Sequence, residues 1–197
     1  MEDFLLFIKL GFEHITDLNG YDHLLFIVAL CAIFDIKDWK YILLVVTCFT
    51  IGHSITLALA IFKIVTIKSE IIEFLIPVTI MITALSNLFY KMPDSSFTKH
   101  QNQISRYFIT TIFGLIHGLG FSNYLRSLLG NNTSIIKQLF AFNVGLELGQ
   151  ILIVAIFMCI YYLLFNIFEM KRKDINLVVS SFVAGITLTL LIEKWIF

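Results

Sequence analysis

Long apolar runs alternate with short polar gaps along the whole chain. Apolar residues dominate roughly 21–36, 41–62, 71–90, 107–125, 138–168 and 176–193. Charges collect between them, in Lys37-Asp38-Trp39-Lys40, Lys63 to Glu70, Lys91 to Arg106, Arg126 to Lys137 and Glu169 to Asp174. A helix crossing the hydrocarbon core needs about 20 mostly apolar residues, so the pattern predicts six spans. The first fifteen residues are also apolar, but Lys9 and Glu13 interrupt them. They predict an amphipathic or partly inserted helix in place of a seventh span. Asn19-Gly20 supplies a turn ahead of the first full run. The gap at 91–106, with Pro93, Asp94, Ser95, Lys99 and His100, reads as an exposed loop. The expected fold class is therefore all-α: a polytopic membrane helix bundle in which residues 1–197 form a single integral membrane domain.

Composition sharpens this picture. Of 197 residues, 58% are hydrophobic and 14% charged, and the mean hydropathy is +0.89. Soluble domains carry about 45–50% apolar and about 25% charged residues. A soluble globular enzyme, a disordered chain and a small disulfide scaffold are excluded. The formal net charge is zero, which gives no sign of nucleic acid. The expected partner is the lipid bilayer, with a homo-oligomer or an accessory protein left open. Cys31, Cys48 and Cys159 lie within apolar runs and form no CxxC pair, so they read as packing residues. Glu2 and Asp3 stand where a signal peptide would carry basic residues, and none is expected. With six spans, the gaps at 37–40, 91–106 and 169–174 share a face holding eight Lys and Arg, against six on the other. The positive-inside rule then places both termini outside.

Few ionisable residues fall inside the apolar runs, and each is a functional hypothesis because burying charge in lipid costs several kcal/mol. His53 lies in Thr50-Ile51-Gly52-His53-Ser54, His117 in Gly114-Leu115-Ile116-His117-Gly118, and Glu147 in Asn143-Val144-Gly145-Leu146-Glu147. Counting from the nearest charged gap at about 1.5 Å per residue, all three lie about 13–15 Å below one face. Asp22 and His23 open the first run from that face, and His14 precedes them. Asn143, Glu147 and Gln150 fall on one helical stripe, and Thr50 stands beside His53. Gly114 and Gly118, like Gly145 and Gly149, make GxxxG packing motifs that allow close helix approach. They predict that His117 and Glu147 come near each other.

Imidazole suits zinc, copper, iron and nickel, and a divalent ion would offset buried carboxylates. The set fits a metal site better than a proton relay. A Ser-His-Asp hydrolase is disfavoured, because Ser54 is adjacent to His53 in sequence and points elsewhere on a helix. Three further readings stay open at this stage: a metal permease, a zinc-dependent intramembrane hydrolase with Glu147 as general base, and a metal-free accessory protein.

The same residues resemble a known family. Gly11-Phe12-Glu13-His14-Ile15 with Gly20-Tyr21-Asp22-His23-Leu24-Leu25-Phe26 is similar to the opening signature of HupE/UreJ membrane proteins. Phe49-Thr50-Ile51-Gly52-His53-Ser54, Phe113-Gly114-Leu115-Ile116-His117-Gly118-Leu119-Gly120-Phe121 and Phe142-Asn143-Val144-Gly145-Leu146-Glu147-Leu148-Gly149-Gln150 resemble its later motifs. That resemblance implies a nickel or cobalt permease of a bacterial inner membrane, with His14, Asp22, His23, His53, His117 and Glu147 lining the metal path. Nickel, cobalt or zinc would be its substrate or bound ion, and Thr50, Asn143 and Gln150 would orient the ligands. Seven residues separate His14 from Asp22, a longer interval than nickel permeases show between their His and Asp-His.

Overall fold

The structure, a computed structural model, describes residues 2–90, 96–129 and 135–195. Among these the chain is all-helical: α1 (Glu2–Thr16), α2 (Asp22–Cys31), α3 (Trp39–Ile61), α4 (Ser69–Leu88), α5 (Ser96–Gly120), α6 (Ser122–Leu129), α7 (Ile135–Asn166) and α8 (Arg172–Glu193), with a 3-10 turn at Ile36–Asp38. Four apolar helices are long enough to cross a membrane: α3 with its preceding 3-10 turn, α4, α7 and α8. A fifth crossing forms if α5 is counted with α6, into which the chain bends by 49° after Gly120. The protein is a multi-pass membrane protein.

Two expectations need correction. The first apolar run, 21–36, is helical only from Asp22 to Cys31, and ten residues rise about 15 Å, half of what a span requires. Residues 32–34 are buried and apolar but lie outside the helix. Beyond them Asp35 and Asp38 form a reciprocal capping box around the 3-10 turn, which redirects the chain into α3. The N-terminal helix, expected to be amphipathic or partly inserted, packs along α7 for most of its length. Finally, the stretch read as a loop at 91–106 is helical from Ser96 onward, while 91–95 lies outside the described residues.

Glycine decides which helices pair. A Cβ on Gly11 would stand 2.0 Å from the Phe142 carbonyl oxygen, and one on Gly145 would stand 1.9 Å from that of Ile8. On the other pair, a Cβ on Gly52 would meet the Thr111 carbonyl at 2.1 Å, and Gly114 and Gly118 face the carbonyls of Phe49 and His53 at 2.2 Å. These distances leave room for hydrogen alone. The two GxxxG motifs therefore seat α7 on α1 and α5 on α3, in place of α5 on α7. With α4 packed on α8, three helix pairs surround the short, mostly buried α2. Asn87 of α4 ties into this centre by donating to the Ala29 carbonyl at 2.7 Å.

Helix directions follow from the same contacts. Ile8 faces Gly145 while Phe12 and Ile15 face Gly149, so α1 and α7 are parallel. Thr50 meets Gln150 while His53 meets Phe142, so α3 is antiparallel to α7. His23 meets His53 while Phe26 meets Phe49, so α2 is antiparallel to α3. Consequently α1 and α2 run the same way, separated by the non-helical residues 17–21. Neither is long enough to span alone, yet their combined rise is about 37 Å.

Candidate metal centre

The break between α1 and α2 is what assembles the centre. His14 sits in the last turn of α1 and His23 in the first turn of α2. His53 enters from α3, whose backbone lies against Gly118 of α5. One ring nitrogen from each of His14, His23 and His53 falls within 4.8 Å of the others. Four ligands on an ion with bonds of about 2.1 Å stand roughly 3.4 Å apart, so a small inward movement of the rings would complete a shared site. His117 adjoins the trio, its ring centre 5.1 Å from that of His23. His53 is 0% exposed, His117 1% and His23 4%. Phe121 stacks against His14 at 3.9 Å between ring centres, and Phe142 lies over both His14 and His53.

Most nitrogens of these rings lack a hydrogen-bond partner. His14 Nε2, His23 Nε2, both nitrogens of His53 and His117 Nδ1 are buried without a partner. Leaving a buried polar group unpaired costs about 1–3 kcal/mol. One nitrogen from each of His14, His23 and His53 converges with the others, and the unpaired lone pairs mark a place suited to an electron-pair acceptor. The partners that do exist fix the tautomers. Asp22 Oδ1 lies 3.0 Å from His23 Nδ1 and also accepts from the His23 backbone N–H at 2.9 Å. Because a carboxylate only accepts, His23 donates from Nδ1 and keeps its lone pair on Nε2. This is the carboxylate–histidine pairing that raises ligand basicity in metal sites.

Glu147 is placed differently. It accepts from Thr47 and Thr50 of α3, each at 2.6 Å. Thr50 Oγ1 also lies 2.6 Å from Gln150 Oε1. These residues form an oxygen network between α3 and α7, one helical turn along α3 from His53, and Glu147 is not among the groups whose ligand atoms cluster with the histidines. Asn143, one turn from Glu147, has a buried Oδ1 with no partner. The structure thus brings His14, Asp22, His23, His53 and His117 together and holds Glu147, Thr50 and Gln150 in a neighbouring network. Thr79 of α4, which reads from the sequence as a packing polar group, has its Oγ1 2.9 Å from His117 Nε2. Thr79 and Thr83, four apart on α4, were the available signal.

Two openings approach the centre. A vestibule of about 630 Å³ reaches His14 past Glu13, Thr16, Asp17, Asn19 and Tyr124. A second cavity, about 230 Å³, reaches Asp22 between Tyr21, Pro77 and the Glu73–Lys194 pair. Lys194, just beyond α8, bonds Glu73 Oε2 at 2.8 Å, which holds its ammonium above the usual lysine range. On the other side of the histidines, a cavity of about 300 Å³ opens between α2, α3, α4 and α5.

Apolar crossing helices around a buried, underbonded histidine cluster define a polytopic membrane protein with a centre of metal-ligand character. The chain belongs to the HupE/UreJ family: the family model described as HupE / UreJ protein matches residues 1–196, essentially its whole length. No curated protein and no solved structure matches it.

Proposed function

We propose that the protein is a permease that carries a divalent transition metal, nickel or cobalt, across a bacterial inner membrane. The observation that carries this reading is the convergence of His14, His23 and His53, with unpartnered ring nitrogens, at the inner end of an open vestibule. Neutral imidazoles suit nickel and cobalt, and a site without thiolates binds them reversibly enough for release. The family match agrees with a metal-handling role. A zinc hydrolase would need a free carboxylate beside the bound water. Glu147 is engaged by two threonines and Asp22 by His23, which gives that alternative less support.

The test is uptake of nickel and cobalt by proteoliposomes holding purified protein. Wild type should accumulate the ion and His53→Ala should not. Uptake unchanged by His53→Ala would sink the reading.

A further inference from the structure

On α4, the Thr79 hydroxyl stands between two atoms, the Ile76 carbonyl oxygen at 2.7 Å and His117 Nε2 at 2.9 Å. A hydroxyl carries one hydrogen. The carbonyl can only accept, so that hydrogen goes to Ile76 and Thr79 Oγ1 accepts from the imidazole. His117 Nε2 is therefore protonated and its lone pair sits on Nδ1, which is buried without a partner. Thr79 does for His117 what Asp22 does for His23, with a neutral acceptor in place of a carboxylate.

The position of His117 gives this pairing its meaning. On one side its ring adjoins His23. On the other, Phe26 and Phe49 stand 5.2 and 5.1 Å away, ring centre to ring centre. Phe113, one turn back along α5, lines the far cavity together with Thr83, Ser86 and Thr110. Thr83 bonds the Thr79 carbonyl at 2.9 Å and Ser86 bonds the Thr83 carbonyl at 2.8 Å. A stripe of hydroxyls thus runs along α4 from His117 to that cavity.

We propose that His117 is the ligand through which the ion leaves the three-histidine site toward the far cavity, and that Thr79 is the positioning residue that presents its Nδ1. This rests on the permease reading. A carboxylate partner makes His23 a strong donor, whereas a neutral hydroxyl leaves His117 a weaker one. A tight site followed by a weaker ligand satisfies the requirement that conduction bind favourably yet release.

The experiment compares Thr79→Val, which keeps the shape and removes the acceptor, with Thr79→Ser, which keeps it. Equilibrium nickel binding is measured in detergent and nickel uptake in proteoliposomes. Both variants should bind one nickel with near wild-type affinity. Thr79→Val should lose about 10–100-fold in the maximal uptake rate, with little change in the half-saturating concentration, as expected for an outer-shell partner. Thr79→Ser should transport normally. Wild-type uptake by Thr79→Val overturns the proposal. So does loss of equilibrium binding in Thr79→Val, which would make Thr79 part of the tight site itself. Failure of the permease reading is read separately, from His53→Ala that binds and transports as wild type does.

Discussion

The rings of His14 and His23 lie 4.7 Å apart, edge to face, although they belong to two different helices that run in the same direction. Side chains nine positions apart on one continuous helix would be separated by about 13 Å along its axis. Interrupting the helix at residues 17–21 lets the end of α1 and the start of α2 point their imidazoles at one volume. Discontinuous helices that break at the substrate site are a recurring device of membrane transporters. Here the break also explains why α1 needs glycine contacts: the half-helix is held by α7 through Gly11, Gly145 and Gly149.

Asp22 controls the quality of His23 as a ligand. Asp22→Ala should weaken nickel binding about 10–100-fold, the usual effect of removing such a partner. Asp22→Asn retains an acceptor oxygen without the charge and should fall between the two. Titration calorimetry on the purified variants measures this, and equal affinity in all three proteins would show that His23 is oriented by something else.

The close approach of α1 to α7 makes a second outcome predictable. Gly145→Ala puts a methyl group where the Ile8 carbonyl already lies, 1.9 Å from the ideal Cβ. It should destabilise the protein by roughly 1–3 kcal/mol, the usual cost of overpacking, and displace His14 from the cluster. Gly185→Ala is the control, because nothing lies within 4 Å of a Cβ there. Removing a mid-helix glycine should there be neutral or stabilising by about 0.4–1 kcal/mol. Thermal unfolding in detergent, with and without nickel, distinguishes the two.

How much of this was legible follows from what each residue advertises. His53 could be read because no Asp, Glu, Lys or Arg accompanies it between Lys40 and Lys63, and the GxxxG motifs could be read as close contacts. Their partners could not, since small residues specify proximity and not which helix comes near. The role of α1 was obscured by Lys9 and Glu13, which form an exposed i,i+4 pair at 3.6 Å on a helix whose buried positions are Phe7, Gly11 and Ile15. The polar stretch from Ser96 to Arg106 looked like a loop because hydropathy reports solvent preference and not backbone conformation. Residues 32–34 misled in the opposite way, being apolar and buried yet not helical. Thr79 reads from the sequence as a packing polar group, because a threonine bonded to its own helix is the commonest reading of threonine in a membrane segment.

Glu147 offers a third test. Its two oxygens are taken by Thr47 and Thr50, so a neutral amide should occupy the same place. Glu147→Gln should leave the stoichiometry of nickel bound at the histidines unchanged, with affinity within a few-fold of wild type. Loss of the bound ion, read by elemental analysis of the purified variant, would return Glu147 to the ligand set.

The last prediction concerns the break itself. Residues 17–20 are exposed and line the two openings that approach the histidines. If α1 and α2 make one interrupted crossing, these residues lie well below the membrane surface at the bottom of a water-filled approach. In a background with Cys31, Cys48 and Cys159 replaced, Asn19→Cys should react with a small membrane-impermeant thiol reagent added on the side where α4 begins. It should resist a bulky polymer-linked maleimide added on that side. Lys68→Cys, immediately ahead of α4 and exposed, should react with both. Reaction of Asn19→Cys with the bulky reagent would place α1 on the membrane surface, and the break could then no longer be part of a crossing. Slower reaction of Asn19→Cys at saturating nickel would add that the ion reaches the histidines by this approach, since a bound cation at His14 narrows the space beneath Asn19.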